Sequence, residues 1–135
     1  AHPAVVRELM KARLPFMVDR FAEQTALAVL RQPDLIENRV QRLKVSIGEL
    51  TEALQAMDAV EVVPSQANFV IFTTPAPADA LQDRLAERGV LVRNMGGYPE
   101  LDGYLRVSAG TEAENNAFLA ALETSLSEIP TGTGA

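Results

Sequence analysis

At 135 residues the chain has the length of a single domain, and a composition of 47% hydrophobic and 22% charged residues is enough to build a core without staples. The formal net charge is −6, and the twelve basic residues, ten of them arginine, are scattered along the chain, which speaks against a nucleic-acid or anionic-membrane surface. Cysteine is absent, which removes disulfides and thiolate metal sites, and no apolar run approaches the ~18 residues that cross a bilayer, so a soluble, cytoplasmic protein with no membrane partner is expected.

Pro3 suits the first turn of a helix, where its missing amide costs nothing, and Val5, Val6, Leu9 and Met10 give that helix an apolar side to about Ala12. Leu14-Pro15 breaks it, because the residue before a proline is pushed away from helical angles. Asp19 is a candidate cap for a second helix over about Arg20 to Arg31. Pro33 and Asp34 open a third and longest helix. Its apolar seam, Ile36, Val40, Leu43, Ile47, Leu50, Leu54 and Met57, repeats at 4 and 3 residues and predicts packing along another helix, with the preceding one as the ready partner.

After Asp58 the pattern turns to strands. Val60 to Val63 is short and stops at Pro64, and Asn68 to Phe72 is apolar on both faces, as a covered central strand would be. Asp79 to Arg88 reads as a helix with Leu81 and Leu85 inward and Gly89 at its left-handed stop. Val90 to Arg93 reads as the next strand, followed by a loop rich in Gly, Pro and Asn over Asn94 to Asp102. In the stretch Gly103 to Glu114, Leu105, Val107 and Ala109 alternate with Tyr104, Arg106 and Ser108, which is a strand with one apolar and one polar face. Thr111 with Glu114 three residues on is a capping box, and Phe118, Leu119, Leu122 and Leu126 mark the helix it opens.

The order, helices first and then β-β-α-β-β-α, predicts an α+β fold: N-terminal helices with a long helix, then a small mixed or antiparallel sheet of about four strands covered by helices on one face. The segments divide as N-terminal helices over 1–32, a sheet-bearing domain over 33–128 and a disordered tail over 129–135.

Reactive groups are few. The one histidine, His2, sits beside the terminus and supports neither a catalytic nor a metal role. Lys11 and Lys44 lie on amphipathic helices and lack the desolvated setting of a Schiff-base lysine, so no catalytic residue and no metal ligand is assigned. The constellation that stands out is Arg93 and Arg106 on the last two strands. If the strands are neighbours, both guanidiniums converge on one phosphate or carboxylate, with Asn94 to Tyr98 as a loop beside it. Residue spacing alone leaves open the alternative of arginines on a solvated sheet face.

Three motifs, in order, carry a resemblance: Pro64-Ser65-Gln66-Ala67-Asn68-Phe69-Val70; Glu87-Arg88-Gly89-Val90-Leu91-Val92-Arg93; and Gly103 to Thr111 followed by Glu114-Asn115. Together they resemble the C-terminal part of histidinol-phosphate aminotransferases, fold-type I enzymes that use pyridoxal phosphate, over roughly residues 3 to 127. Phosphothreonine decarboxylases and aromatic aminotransferases share a similar pattern. The resemblance implies that Arg106 binds the substrate's anionic group, that Arg93 assists it, and that Asn68 and Tyr104 support the fold. It implies a homodimeric parent enzyme of histidine biosynthesis, transferring an amino group to 2-oxoglutarate. It also implies that the cofactor lysine and the cofactor's other anchors lie in a large domain upstream, so that this chain alone holds no pyridoxal phosphate and is inactive. The chain departs from the family at Phe16-Met17-Val18, where an aromatic and a polar residue usually follow Leu14-Pro15. Two other readings remain: a stand-alone anion-binding module using the same arginines, and an assembly domain docking through the Ile36–Met57 seam.

Overall fold

The computed structural model describes residues 2–13 and 18–129. The predicted break at Leu14-Pro15, most of the Phe16-Met17-Val18 departure and the tail from residue 130 onward lie outside the described residues. Five helices and four strands follow in the order α1 (Pro3–Lys11), α2 (Arg20–Leu30), α3 (Pro33–Gln55), β1 (Glu61–Val63), β2 (Phe69–Thr73), α4 (Ala78–Glu87), β3 (Arg93–Asn94), β4 (Tyr104–Ser108) and α5 (Glu112–Glu128), with a 3-10 turn at Pro99–Leu101. Backbone proximity divides the chain into residues 1–39 and 40–135, so α3 runs through the division.

In the first unit the helix starts are made by their local sequence. His2 caps α1 through its ring nitrogen, with Pro3 at the first position, and the Asp19 carboxylate accepts from the Ala22 amide at 2.7 Å to start α2. Neither helix has a buried residue, and Phe21 is 82% exposed.

The second unit carries the core. Its sheet is antiparallel throughout in the order β1-β2-β4-β3, so β2 is central as predicted. Val70 and Phe72 of β2 and Leu105 and Val107 of β4 point to one face, where they meet Leu50 and Leu54 of α3, Leu81 and Leu85 of α4 and Phe118, Ala121 and Leu122 of α5. Phe72 and Phe118 meet edge to face at 6.0 Å between ring centres. The helices thus cover one face of the sheet, and the alternate residues of β2, Phe69, Ile71 and Thr73, are only half-buried.

Two expectations change. The α3 seam does not run its length along one helix: Leu50 and Leu54 join the core cluster of sheet and helices, with Ile47 and Met57 packed against it, while Val40 and Leu43 remain 43% and 38% exposed. A 4-3 repeat defines a stripe and is silent on what the stripe faces. The strand predicted over Val90 to Arg93 shrinks to Arg93–Asn94 because α4 takes up the backbone before it. Gly89, at φ 77°, donates to the Ala86 carbonyl and Val90 to the Leu85 carbonyl, a Schellman closure, and the Gln82 side chain donates to the Val92 carbonyl at 2.9 Å. Those groups are then lost to a ladder.

Ile129, placed in the tail by sequence, instead donates to the Ser125 carbonyl and packs against the core. Ser125 is itself fully buried, and its hydroxyl has no hydrogen-bond partner among the described residues. Ser125→Ala is therefore expected to hold or raise stability by about 1 kcal/mol, because it removes an unsatisfied buried hydroxyl. Leu122→Ala, one turn earlier on the same helix, should cost about 2–5 kcal/mol. The denaturant midpoint should fall for Leu122→Ala and should not fall for Ser125→Ala if the core is packed in this way.

Candidate functional site

The half-covered face of the sheet is the candidate site, and register assembles it. Ile71 pairs with Arg106, and Arg106 with Arg93, so the two arginines predicted from sequence stand directly opposite each other on neighbouring strands. Arg106 is half-buried and Arg93 exposed. The Arg106 guanidinium carbon lies 5.0 Å from the centre of the Phe69 ring, within cation–π range. Among the described residues the ion pairs are Lys11–Glu8, Arg84–Glu87 and Arg88–Glu128, and none involves Arg93 or Arg106. Like charges facing each other across a ladder repel, and no described carboxylate lies within ion-pair distance of either arginine.

Arg106 is held on this face from below and from beyond the strand's end. Below, Leu105 and Val107 are locked into the core. Beyond, β4 runs into α5 through Gly110 and Thr111. The Gly110 amide donates to Asn115 Oδ1 at 2.9 Å, and its carbonyl accepts from the Ser46 hydroxyl at 2.9 Å. Asn115 Nδ2 donates back to Ser46 Oγ at 2.8 Å, closing a ring that ties α3, the turn and α5 together. The capping box forms as predicted, with the Thr111 amide donating to the Glu114 carboxylate at 2.7 Å and the Glu114 amide to Thr111 Oγ1 at 3.3 Å. Gly110 sits close to the cap: a Cβ at this position would come within 2.7 Å of Glu114 Oε2, the movable end of that side chain, and 3.0 Å of Glu114 Cβ, so a larger residue would press on the capping box.

The other residues singled out by sequence serve the backbone. The Asn68 carbonyl accepts from the Ala109 amide at 3.0 Å, and the Tyr104 carbonyl accepts from Met95 at 2.9 Å. The loop after β3 makes its side-chain bonds toward α4: Asn94 Nδ2 donates to Asp79 at 2.6 Å, and Asn94 Oδ1 accepts from the Gly96 amide at 2.8 Å. A cleft of about 620 Å³ lies there, lined by Asp79, Asn94, Gly96, Gly97 and Asp102, and neither arginine contributes to it. The acidic cleft and the arginine pair are separate features. Phe69 and Ser46 had no functional reading from sequence. Phe69 was hidden in a run apolar on both faces, and only the pairing of β2 with β4 sets it beside Arg106.

The family model described as aminotransferase class I and II matches residues 1–122. The chain belongs to this family. Curated relatives named histidinol-phosphate aminotransferase are 33–42% identical. The Streptomyces avermitilis protein is 42% identical across 90% of this chain and 32% of its own length, so the chain spans about a third of such relatives. Among solved structures, L-threonine-O-3-phosphate decarboxylase from Porphyromonas gingivalis superposes with a TM-score of 0.80 at 26% identity, covering 95% of this chain and 40% of that one. Histidinol-phosphate aminotransferase from Sinorhizobium meliloti in complex with pyridoxal-5'-phosphate does so with a TM-score of 0.77 at 25% identity, covering 93% and 34%.

That cofactor is an aldehyde held through a lysine amine that must be desolvated to act as a nucleophile. Lys11 and Lys44 are both exposed, and Lys11 Nζ is paired with Glu8 at 2.6 Å. These two lysines do not offer the desolvated setting that the group requires.

The junction beneath Arg106 makes a pH prediction. The Thr111 amide, and secondarily its hydroxyl, hold the Glu114 carboxyl below the usual glutamate value. A depressed folded-state pKa contributes stability that is present above the unfolded value of about 4.3 and is lost as pH falls through the folded one. Glu114→Gln should therefore flatten the acid limb of the stability–pH curve and lower stability near neutral pH, as read by thermal unfolding at a series of pH values.

Proposed function

We propose that this chain is the C-terminal small domain of a pyridoxal-phosphate-dependent aminotransferase acting on histidinol phosphate, in which Arg106, assisted by Arg93, receives the substrate's phosphate. The observation that carries the reading is the facing pair of arginines on a half-covered sheet, without a carboxylate partner among the described residues, in a chain of the aminotransferase family. A phosphate dianion takes up two guanidiniums and turns their mutual repulsion into attraction to a shared guest. In the parent enzyme the bound cofactor supplies the electron sink for amino-group transfer to 2-oxoglutarate. This domain contributes grip and orientation through its arginines, and the lysine and remaining cofactor contacts come from the large domain. The parent is read as a cytoplasmic homodimer of histidine biosynthesis.

The likeness to L-threonine-O-3-phosphate decarboxylase favours a second reading, the equivalent domain of a phosphothreonine decarboxylase. Both names describe phosphate esters, so phosphate is the better supported guest for Arg106 in either case.

Hydrogen bonds to charged groups contribute about 1.5–3 kcal/mol, and each 1.4 kcal/mol is tenfold. In the full-length enzyme, Arg106→Ala should then lower kcat/KM for histidinol phosphate by roughly 10- to 150-fold, and an unchanged value rejects Arg106 as the receptor. The 135-residue chain given pyridoxal phosphate, histidinol phosphate and 2-oxoglutarate should show no turnover. Turnover would show that the large domain is dispensable.

A further inference from the structure

Arg106 has a long, flexible side chain, and no described acceptor takes any of its five N–H donors. The Phe69 ring lies 5.0 Å from the guanidinium carbon. The geometry follows from the ladder. Phe69 pairs with Ser108 and Arg106 with Ile71, so Phe69 and Arg106 are diagonal neighbours on one face, a separation that aromatic and long side chains bridge. Ser108, opposite Phe69, is small and leaves room for the ring to lean toward the arginine. Phe69 is half-buried and lies outside the hydrophobic core, so its size is not required by packing there. Arg93 faces Arg106 from the next strand and repels it.

We infer that Phe69 is a positioning residue for Arg106: its ring holds the guanidinium in place against Arg93 while leaving the N–H donors for a phosphate ester. This rests on the reading of Arg106 as the anion receptor. An exposed cation–π contact of this kind corresponds to a two- to fivefold change in an equilibrium constant.

The test uses the 135-residue chain, inorganic phosphate as the probe, and the Arg106 Nε–Hε resonance, which a nearby ring displaces. Phe69→Leu should weaken phosphate binding two- to fivefold and move the resonance toward that of a free arginine, and Phe69→Trp should keep phosphate binding and displace the resonance beyond its wild-type position. A resonance unmoved by Phe69→Leu overturns the inference, whatever the affinity does. Should Phe69→Leu not fold, Phe69→Trp decides, because the larger ring must displace the resonance further and an unchanged position sinks the idea. Failure of the receptor reading shows separately, as a phosphate response that is absent in the wild type or identical in Arg106→Ala. The resonance alone then judges Phe69.

Discussion

The pairing of β2 with β4 in one register decides where everything chemical on this domain points. Side chains alternate across a strand, so sending Val70, Phe72, Leu105 and Val107 into the core sends Phe69, Ile71, Thr73, Tyr104 and Arg106 to the other face. A slip of one residue would exchange the two sets. It would drive the Arg106 guanidinium into an apolar core with nothing to pair with, at a cost far larger than any single contact on the open face. Burial of aliphatic side chains and presentation of the arginine are therefore one constraint seen from two sides.

The end of β4 is secured with unusual density for a surface turn. Gly110 has its amide bonded by Asn115 and its carbonyl by Ser46, and the two side chains bond each other. The capping box sits one residue on, close enough that a Cβ at position 110 would press on the Glu114 side chain. Side chains from α3 and α5 thus replace the partners that a strand loses where its ladder stops. The consequence is a rigid frame for the strand that carries Arg106, built by polar groups whose bonds to one another leave little freedom for slippage.

The sheet's two faces differ in what they meet. One face is closed by α3, α4 and α5. The other carries two cations and an aromatic ring over a floor that includes Ile71, and it is only half-covered in the described structure. Phe69 lies beside Arg106 on this face, 5.0 Å from its guanidinium carbon.

Much of this was legible in the sequence. The α+β order, the capping box at Thr111 and Glu114, the glycine stop at Gly89 and the polar face bearing Arg106 are local, because caps and period-2 alternation are set by residues within a few positions of one another. The convergence of Arg93 and Arg106 was conditional on their strands being neighbours, and the register that makes them face each other came only with the fold. Tertiary structure decided the rest. Leu50 and Leu54 were assigned to a helix pair because a stripe does not name its partner, and they belong to the core. Val90 to Val92 read as strand by composition, but α4 claimed their backbone groups. Phe69 and Ser46 acquire roles only when positions 37 and 64 residues away in the chain, Arg106 and Gly110, are brought against them. Local sequence determines which elements form and which face is apolar, and long-range packing alone determines which side chains meet.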